Sequence, residues 1–392
     1  MPSAPADLAH GVFSDTPPWT VDPAALAWRR PVPALRAEAH RRLPSLLRPP
    51  RLPPVRRGMV VTTRLAGAVA GWMLTERRRG GTVSRAGVSR RLRVAAERLG
   101  PTFIKLGQII SSGEGIFPAE LVAEFVRCRD RVPPEDFCTV RRIVEEDLGL
   151  PLAAVFEEFE ESPVAAASIA QVHRARLRRD LPDVAGAGSE VVVKVQRPTV
   201  AARVLDDLRV LAWLAPKLVG RIPVASLANP PALVEVFAHT ISEELDFRIE
   251  ADNMLDVARV LAELDQRRFV IPRPHPTLVT RRVLVMERLD GFRFDDLASY
   301  EHHGIDTHGV VRAGMIAFME GALIHGVFHG DLHGGNLFVR PDGRTALLDF
   351  GITGRLSPPR RRAFVRLLVA GTMNDVTGQL AALRDLGALP AD

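Results

Sequence analysis

Three side chains in the C-terminal third have types and spacing that suit metal-assisted phosphoryl transfer. Asp331 lies five residues before Asn336, and Asp349, which opens an Asp-Phe-Gly, follows thirteen residues later. This chemistry needs one carboxylate to orient or deprotonate the acceptor, while an Asn and a second Asp hold the Mg²⁺ ions that bridge the phosphates. The pattern predicts Asp331 as the catalytic residue and Asn336 and Asp349 as metal ligands. The alternative is that all three side chains cap turns.

Two histidines flank Asp331 at a spacing of four residues. His329 and His333 could be metal ligands, since imidazole binds several metals at such a spacing. Their position in a predicted loop favours a structural role.

ATP phosphates also need a cation oriented by a carboxylate. Lys194 lies in the β-branched run 191–195, and a lysine within an apolar strand is costly unless it is paired. Glu250, on the following acidic helix, is the predicted partner, and Glu287, which ends the run 282–287, is a further candidate for the nucleotide site. The alternatives are an edge lysine that points to solvent and an acidic helix face that is simply solvated.

The elements that must position these side chains can be read from periodicity and turn residues. Apolar residues recur at three- and four-residue steps from 84 to 111, with a break expected at 98–102 around Gly100 and Pro101. The region 310–325 is apolar but contains charged residues, which favours a buried core helix over a membrane span. The remaining predictions are helices at 136–148 and 227–264, strands at 191–195 and 282–287, and two short strands within 336–350.

Composition and charge limit the class of protein. Of the 392 residues, 46% are hydrophobic and 25% charged, which is typical of a globular chain, and the net charge of +6 suits phosphate-rich or anionic-membrane partners. Cys128 and Cys138 are expected to be free thiols in a reducing compartment. No secretory signal and no apolar run of membrane-spanning length is expected. A cytoplasmic protein is therefore expected, with peripheral membrane contact as an addition and no nucleic-acid partner.

Residues 1–57 are dense in proline and arginine. Nine arginines and one acidic residue, Glu38, lie between positions 29 and 57. A flexible basic arm is the favoured interpretation, and attraction to anionic lipid, together with the apolar stretch 59–74, is the alternative.

Three further motifs make the chain resemble the UbiB family of atypical protein-kinase-like proteins. Ala165, Ala166, Ala167 and Ser168 begin a stretch similar to the alanine-rich loop that replaces the glycine-rich loop of ordinary kinases. The run Lys105-Leu106-Gly107-Gln108 matches the K-x-G-Q signature, and Glu244-Leu245-Asp246 matches E-x-D. The resemblance covers about residues 91 to 368. Around Asp331 the chain departs from it, because Gly330, Leu332 and Gly334 stand where the family usually has an alanine and two prolines.

The resemblance implies an α+β, bilobal protein-kinase-like fold with an N-terminal helical extension that carries K-x-G-Q. Its parts would be the arm 1–57, the extension 58–150, an N-lobe 151–290 and a short C-lobe 291–392. By the same resemblance the alanine-rich loop covers the phosphates and alters nucleotide preference, while Lys194 and Glu250 pair in the nucleotide site. The regulatory set is Lys105, Gly107, Gln108, Glu244 and Asp246, with Lys105 approaching both acids of E-x-D.

Several functions fit these features. The first is an ATPase or kinase that uses ATP (or ADP) and Mg²⁺ and acts in quinone or isoprenoid-lipid metabolism on a small or lipid-linked molecule. The second is a nucleotide-gated scaffold with little turnover, for which Asp331 would be unnecessary. A conventional protein kinase comes last, because no Ala-Pro-Glu follows Asp349. An aminoglycoside-type phosphotransferase would fit the loop at Asp331 but would leave K-x-G-Q unexplained.

Overall fold

The computed structural model describes residues 12–50, 54–113, 115, 117–128, 133–180, 185–219, 229–332 and 334–387. In these ranges the chain forms helices at the N-terminal side, a mainly antiparallel sheet in the middle, and a second helical part with small sheets. None of the helices in these ranges is long and apolar enough to cross a bilayer.

The N-terminal segment, residues 12–47, packs onto the rest of the protein. Val12, Phe13, Trp19 and Trp28 are buried in the main core, although this stretch has almost no regular structure before α1 (Val32–Leu47). The prediction of a flexible arm is therefore wrong for the described residues 12–50. Apolar side chains spaced among the prolines and arginines provide the buried contacts, and helix α2 (Val55–Thr75) follows.

The region predicted as the helical extension is largely helical in its described residues, and the run 105–108 lies on one of these helices. The break expected near residue 100 is present, because Gly100 has a φ of 100° and Pro101 begins the next helix. Asp136 caps a further helix, accepting a hydrogen bond from the Thr139 amide. These helices are α3 (Gly81–Leu99), α4 (Pro101–Ser111), α5 (Ala119–Phe125), α6 (Phe137–Leu148) and α7 (Leu152–Val155).

The N-lobe sheet has the order β1-β3-β4-β7-β6, with β2 paired to β3, and neighbouring strands in it run antiparallel. Its strands are β1 (Phe156–Phe159), β2 (Ala165–Ala166), β3 (Ala170–Leu177), β4 (Glu190–Gln196), β6 (Pro274–Val279) and β7 (Val283–Glu287). Strand β5 (Phe269–Val270) belongs to another sheet.

Between β4 and β5 the described residues form three helices: α8 (Val200–Leu218), α9 (Pro230–Glu244) and α10 (Phe247–Glu263). The single helix predicted for 227–264 is wrong, because the chain breaks between α9 and α10. Asp246 has an extended backbone there, and its carboxylate accepts a hydrogen bond from the Arg248 amide, which begins α10.

The region predicted as the C-lobe begins with β8 (Phe292–Arg293), α11 (Leu297–His303) and α12 (Thr307–Glu320). Short strands follow: β9 (Val327–His329), β10 (Leu337–Val339), β11 (Thr345–Leu347) and β12 (Thr353–Arg355). They form a β5-β11-β10-β8 sheet and a β9-β12 pair, and α13 (Pro358–Thr372) and α14 (Val376–Leu386) complete the described residues.

Helix α12 differs from its prediction as a buried core helix. Val310 and Ala317 are buried, but Val311 and Ile316 are exposed and Met315 is 66% exposed. The apolar residues of α12 are therefore distributed around the helix, and only part of them faces the core.

Candidate active site

Strand β4 places Lys194 in a group of charged side chains, called the cleft below, that also includes Lys105, Glu244, Glu250 and Asp349. Val193 and Val195 alternate with it and are fully buried, so the strand is fixed by packing. The Lys194 Nζ lies 2.6 Å from the Glu250 Oε1 of α10 and 3.4 Å from the Asp349 Oδ1. Because Lys194 is buried and paired, the alternative of an edge lysine in solvent does not apply.

Burial and charge act in opposite directions on this pair. Burial alone lowers the pKa of Lys194, but the carboxylates of Asp349 and Glu250 outweigh it and raise that pKa above its ordinary value. Burial raises the pKa of Glu250 to about 7, although the Lys194 charge opposes the change. The lysine therefore stays charged, and Glu250 changes its charge close to neutral pH.

Asp349 follows β11 and points into the cleft. Its side chain is 43% exposed, and its Oδ1 accepts a 2.9 Å hydrogen bond from the Gly351 amide. Burial opposes ionisation, but the positive charges of Lys194 and Lys105 hold the pKa of Asp349 well below its usual range. The carboxylate is thus ionised and accessible, as a metal ligand must be.

The loop that carries Asp331 is connected to Asp349 through a histidine. The His329 Nδ1 accepts a 3.1 Å hydrogen bond from the Asp331 amide, and its Nε2 bonds the Asp349 carbonyl. An imidazole that accepts at Nδ1 and faces a carbonyl at Nε2 is the neutral ring with its proton on Nε2. His329 is thus structural, as the loop context predicted, whereas His333 lies outside the described residues.

Asn336 closes the same loop. Its side-chain Nδ2 donates a 3.2 Å hydrogen bond to the Asp331 carbonyl, and its main-chain carbonyl accepts one from the Leu348 amide. This leaves the side-chain oxygen as its ligand atom. Oxygen donors from Asn336 and Asp349 fit a hard cation such as Mg²⁺. In the described part of the chain, no group of three or more His, Cys, Asp and Glu residues forms a metal cluster.

Lys105 of α4 occupies the cleft beside these acidic residues. It is buried, and its Nζ lies 2.9 Å from the Glu244 Oε1 at the end of α9. Burial lowers the pKa of Lys105, but Glu244, Asp349 and Asp331 together raise it above its ordinary value. The ammonium group therefore lies within the field of both the Asp331 and the Asp349 carboxylates.

Only one of the two E-x-D acids pairs with Lys105. The expectation for Asp246 is wrong, because its carboxylate takes 2.9 and 2.6 Å hydrogen bonds from the Arg248 guanidinium and caps α10. An Asp that follows a helix break is well suited to cap the next helix, and that local use withdraws it from the cleft.

Gly107 and Gln108 follow Lys105 on α4. Gly107 packs so closely on α5 that an added Cβ would lie 2.5 Å from the Phe125 ring. The glycine therefore permits the approach of the two helices. Gln108 lies one residue further on and is half-buried.

The alanine-rich loop forms a hairpin with β3 within the sheet. Ala165 and Ala166 make β2, and the Ala167 amide bonds the Ala170 carbonyl at 2.8 Å, which closes the turn. Ser168 is buried within that turn, and Arg197 donates a hydrogen bond to the Ala167 carbonyl. Side chains at each position limit how closely this backbone can approach a phosphate.

The Glu287 carboxylate is bonded to the N-terminal segment and to a neighbouring backbone amide. At the end of β7 it accepts hydrogen bonds from the Ser14 hydroxyl and from the Arg273 amide, the latter at 3.2 Å. Burial raises the pKa of Glu287, and Ser14 and Arg273 oppose that change. The carboxylate is therefore taken up by the N-terminal segment and by Arg273, and the place of Glu287 in the nucleotide site stays a prediction.

Sequence reasoning missed Asn253 of α10. Its Nδ2 donates a 3.0 Å hydrogen bond to the Phe350 carbonyl, which ties α10 to the residue after Asp349. The available signal was an asparagine, a weak helix former, in the middle of a helix pattern three residues after Glu250.

An apolar cavity of about 380 Å³ lies beside the loop that carries Asp331. Leu332, Gly334 and His329 form its loop side. The wall between α10 and α12 includes Val257, Val260, Met315 and Phe318.

Comparisons with known proteins agree on one family. A model of the ABC1 atypical kinase-like domain matches residues 127–382. "Uncharacterized protein Rv0647c" of Mycobacterium tuberculosis is 43% identical over 69% of this chain and 54% of that protein. "Probable protein kinase UbiB" of Erwinia tasmaniensis is 31% identical over 77% of this chain and 54% of that protein.

A plant relative and a solved structure complete the comparisons. "Protein ACTIVITY OF BC1 COMPLEX KINASE 1, chloroplastic" of Arabidopsis thaliana is 34% identical over 78% of this chain and 43% of that protein. A solved complex of Rv3197 with erythromycin, from Mycobacterium tuberculosis, is 25% identical, covers 64% of this chain and 60% of that chain, and has a TM-score of 0.45, too low to extend the assignment. The chain spans about half the length of these curated relatives. The domain match and the UbiB-named relatives place this chain in the UbiB family of atypical kinase-like proteins.

Proposed function

We propose that this protein binds ATP with Mg²⁺ and catalyses ATP hydrolysis or phosphoryl transfer. The arrangement of Lys194 between Glu250 and Asp349 carries the proposal, because an oriented lysine and an ionised, accessible Asp are the parts that hold nucleotide phosphates in kinases. When bound, Mg²⁺ would neutralise the charge that develops on the phosphates. Asn336 and Asp349 would hold it.

Asp331 is the proposed acceptor-orienting residue or base. The His329 ring bonds both the Asp331 amide and the Asp349 carbonyl, so the Asp331 and Asp349 carboxylates are positioned as one unit. A fixed distance between the acceptor group and the metal ligands favours in-line transfer, since most of the catalytic effect in this chemistry comes from positioning.

The acceptor we propose is an apolar or lipid-linked molecule, such as an isoprenoid or quinone precursor. The support is the apolar cavity behind Leu332, which adjoins the loop that carries Asp331. A cavity with apolar walls suits a hydrocarbon group, while the phosphoryl-accepting end would remain near the loop.

A nucleotide-gated scaffold with little turnover is the second candidate. Lys105 favours it, because its ammonium is paired with Glu244 and lies in the field of Asp349 and Asp331. A cation in this place competes with Mg²⁺, so we propose that Lys105, positioned by Gly107, restrains turnover until it is displaced.

Peripheral contact with an anionic membrane is also proposed, through α2 rather than through the arm. Val55 and Met59 are exposed on this helix, and Leu74 is 84% exposed. Arg64 and Arg98 line a cleft between α2 and α3. Exposed apolar side chains beside arginines are typical of a helix that lies at a lipid surface.

The test is ATP binding and hydrolysis by the purified protein, with Mg²⁺, with and without anionic liposomes. Asp349→Asn keeps the shape and removes the charge, and we expect it to lower hydrolysis by about 10- to 100-fold or more. Hydrolysis that depends on Asp349 and increases with liposomes supports the enzyme and its membrane contact. Binding without hydrolysis supports the scaffold, and absence of binding contradicts both.

A further inference from the structure

Helix α10 has two functional sides. Glu250 faces Lys194, whereas Asp252 and Asp256 project from the far side, because they lie about 160° and 120° away around the helix. Asn253 lies between the two sides. Asp252 is 5% exposed and Asn253 is 1% exposed, so both polar groups need partners.

Two arginines of the N-terminal segment supply those partners. Arg29 donates from Nε to the Asp252 Oδ1 at 2.7 Å and approaches Asp256 at 3.4 Å. Arg36, on α1, donates to the other Asp252 oxygen and, through Nη2, to the Asn253 Oδ1 at 2.5 Å. The guanidinium of Arg36 thus bonds two adjacent side chains of α10, which its planar fork permits and an ammonium would not.

The same network reaches the Asp-Phe-Gly region. Asn253 accepts from Arg36 and donates to the Phe350 carbonyl at 3.0 Å. Arg355, on β12, donates to Asn253 at 3.0 Å and to Asp256 at 2.7 Å. The far side of α10 therefore connects the N-terminal segment to the residues on both sides of Gly351.

The segment is itself fixed to the N-lobe. The indole N–H groups of Trp19 and Trp28 each donate a 3.2 Å hydrogen bond to carbonyls of β6, those of Pro274 and His275. Both rings are buried in the main core. Arg29 and Arg36 consequently act from an anchored position, and α10 lies between them and Lys194.

We propose that Arg29 and Arg36 are positioning residues that hold α10 where Glu250 meets Lys194, so that the N-terminal segment sets the affinity of the cleft for nucleotide. The lysine–glutamate ion pair of kinases depends on the position of this helix. The inference on affinity rests on the nucleotide binding proposed above, whereas the inference on α10 does not.

The experiment compares Arg36→Gln with wild type by two readouts: the Kd for ATP with Mg²⁺ and hydrogen exchange of the α10 amides. We expect the affinity to fall by roughly 3- to 30-fold and exchange to increase over 247–263. Arg41→Gln is the matched control, because Arg41 lies on the same helix and pairs only with the exposed Glu38 among the described residues.

A second control separates positioning from general loss of stability. Arg57→Gln breaks an equally buried ion pair, that of Arg57 with Asp207 of α8, without touching α10. It should leave the ATP affinity unchanged. If Arg36→Gln does not fold, Arg36→Lys replaces it, since lysine keeps the charge at Asp252 but cannot also bond Asn253.

The outcomes are distinguishable. Weaker binding and faster α10 exchange for Arg36→Gln alone support the proposal. Wild-type affinity and wild-type exchange in Arg36→Gln overturn it, as does equal weakening by Arg57→Gln. If the wild type binds no ATP, the proposed function fails and exchange of α10 alone decides whether Arg36 holds the helix.

Discussion

Two lysines and three carboxylates share the cleft, and each determines the charge of the others. Lys105 pairs with Glu244 and Lys194 with Glu250, while Asp349 is attracted to both lysines. Burial raises the pKa of Glu244 and of Glu250, so these two carboxylates are the ones most readily neutralised by a proton. A bound nucleotide would add negative charge, which makes the ionised lysines its natural partners.

The pKa of Glu250, about 7, predicts how nucleotide affinity varies with pH. Between pH 6 and pH 8 the carboxyl loses its proton, and ionised Glu250 orients Lys194 more strongly. We therefore expect ATP to bind more tightly at pH 8 than at pH 6, by about two- to tenfold. Titration with ATP at several pH values measures this, and Glu250→Gln should bind with little dependence on pH in this interval.

The raised pKa of Glu250 predicts the opposite dependence on pH for stability, which decreases as pH increases. The Glu250 carboxyl holds its proton more tightly in the native state than in the unfolded chain. Its contribution to the free energy of unfolding is therefore fully present below the pKa of the unfolded chain and is lost as pH increases through 7. The difference in free energy of unfolding between wild type and Glu250→Gln should therefore change between pH 6 and 8. A constant difference would contradict the raised pKa.

Most of the residues proposed for the nucleotide site could be selected from the sequence. Lys194, Asp331, Asn336 and Asp349 each lie beside a strand or turn whose pattern is local, and Glu250 lies on the next acidic helix. The partners of Asp246 and Glu287 could not be predicted, because they depend on a helix break and on a distant segment. Those contacts arise only in the folded chain.

At the scale of elements, the α4–α5 contact determines where Lys105 lies. Helix α4 is short, and its buried residues Phe103, Ile104 and Ile110 fix it against its neighbours. Gly107 allows Phe125 of α5 to lie against the α4 backbone. The sequence predicted α3, α4 and the break at Gly100 between them. It predicted neither α5 nor the closeness of the α4–α5 contact, which no periodicity encodes.

Gly107→Ala tests that contact. The added methyl group meets the buried Phe125 ring at 2.5 Å, so one helix must move, and we expect the free energy of unfolding to fall by about 1–3 kcal/mol. Urea unfolding provides the measurement. Gly67→Ala on α2 is the matched control, since its methyl group has no neighbour within 4 Å and should stabilise the helix by about 0.5–1 kcal/mol. Equal stability of Gly107→Ala and wild type would show that α4 and α5 separate freely.

For the molecule as a whole, the N-terminal segment joins both lobes. Asp15 pairs with Arg344 beside β11 at 2.9 Å, Val12 bonds the Ile271 amide, and Ser14 bonds Glu287 at the end of β7. Its composition, rich in proline and arginine, resembles that of disordered segments. The residues that bury it lie far along the chain, since Trp19 bonds a carbonyl 255 residues away. Local pattern could not predict such a contact.

The replacement Trp28→Ala measures how much this packing contributes. The ring is buried and its N–H is bonded, so we expect a loss of about 3–5 kcal/mol in the free energy of unfolding. Trp213→Ala, which removes a half-buried ring from α8, should cost less. A flexible arm would instead predict no change for Trp28, and that result would contradict the packing described for residues 12–47.

The positions of the tryptophan rings also determine which changes intrinsic fluorescence can detect. The four tryptophans are residues 19, 28, 72 and 213, and none lies in the C-lobe. Trp19 and Trp28 are enclosed against β6, so detachment of the N-terminal segment would transfer two fluorophores from an apolar to an aqueous environment. Intrinsic emission therefore follows release of this segment directly. Events confined to the loop that carries Asp331 would need an added chromophore.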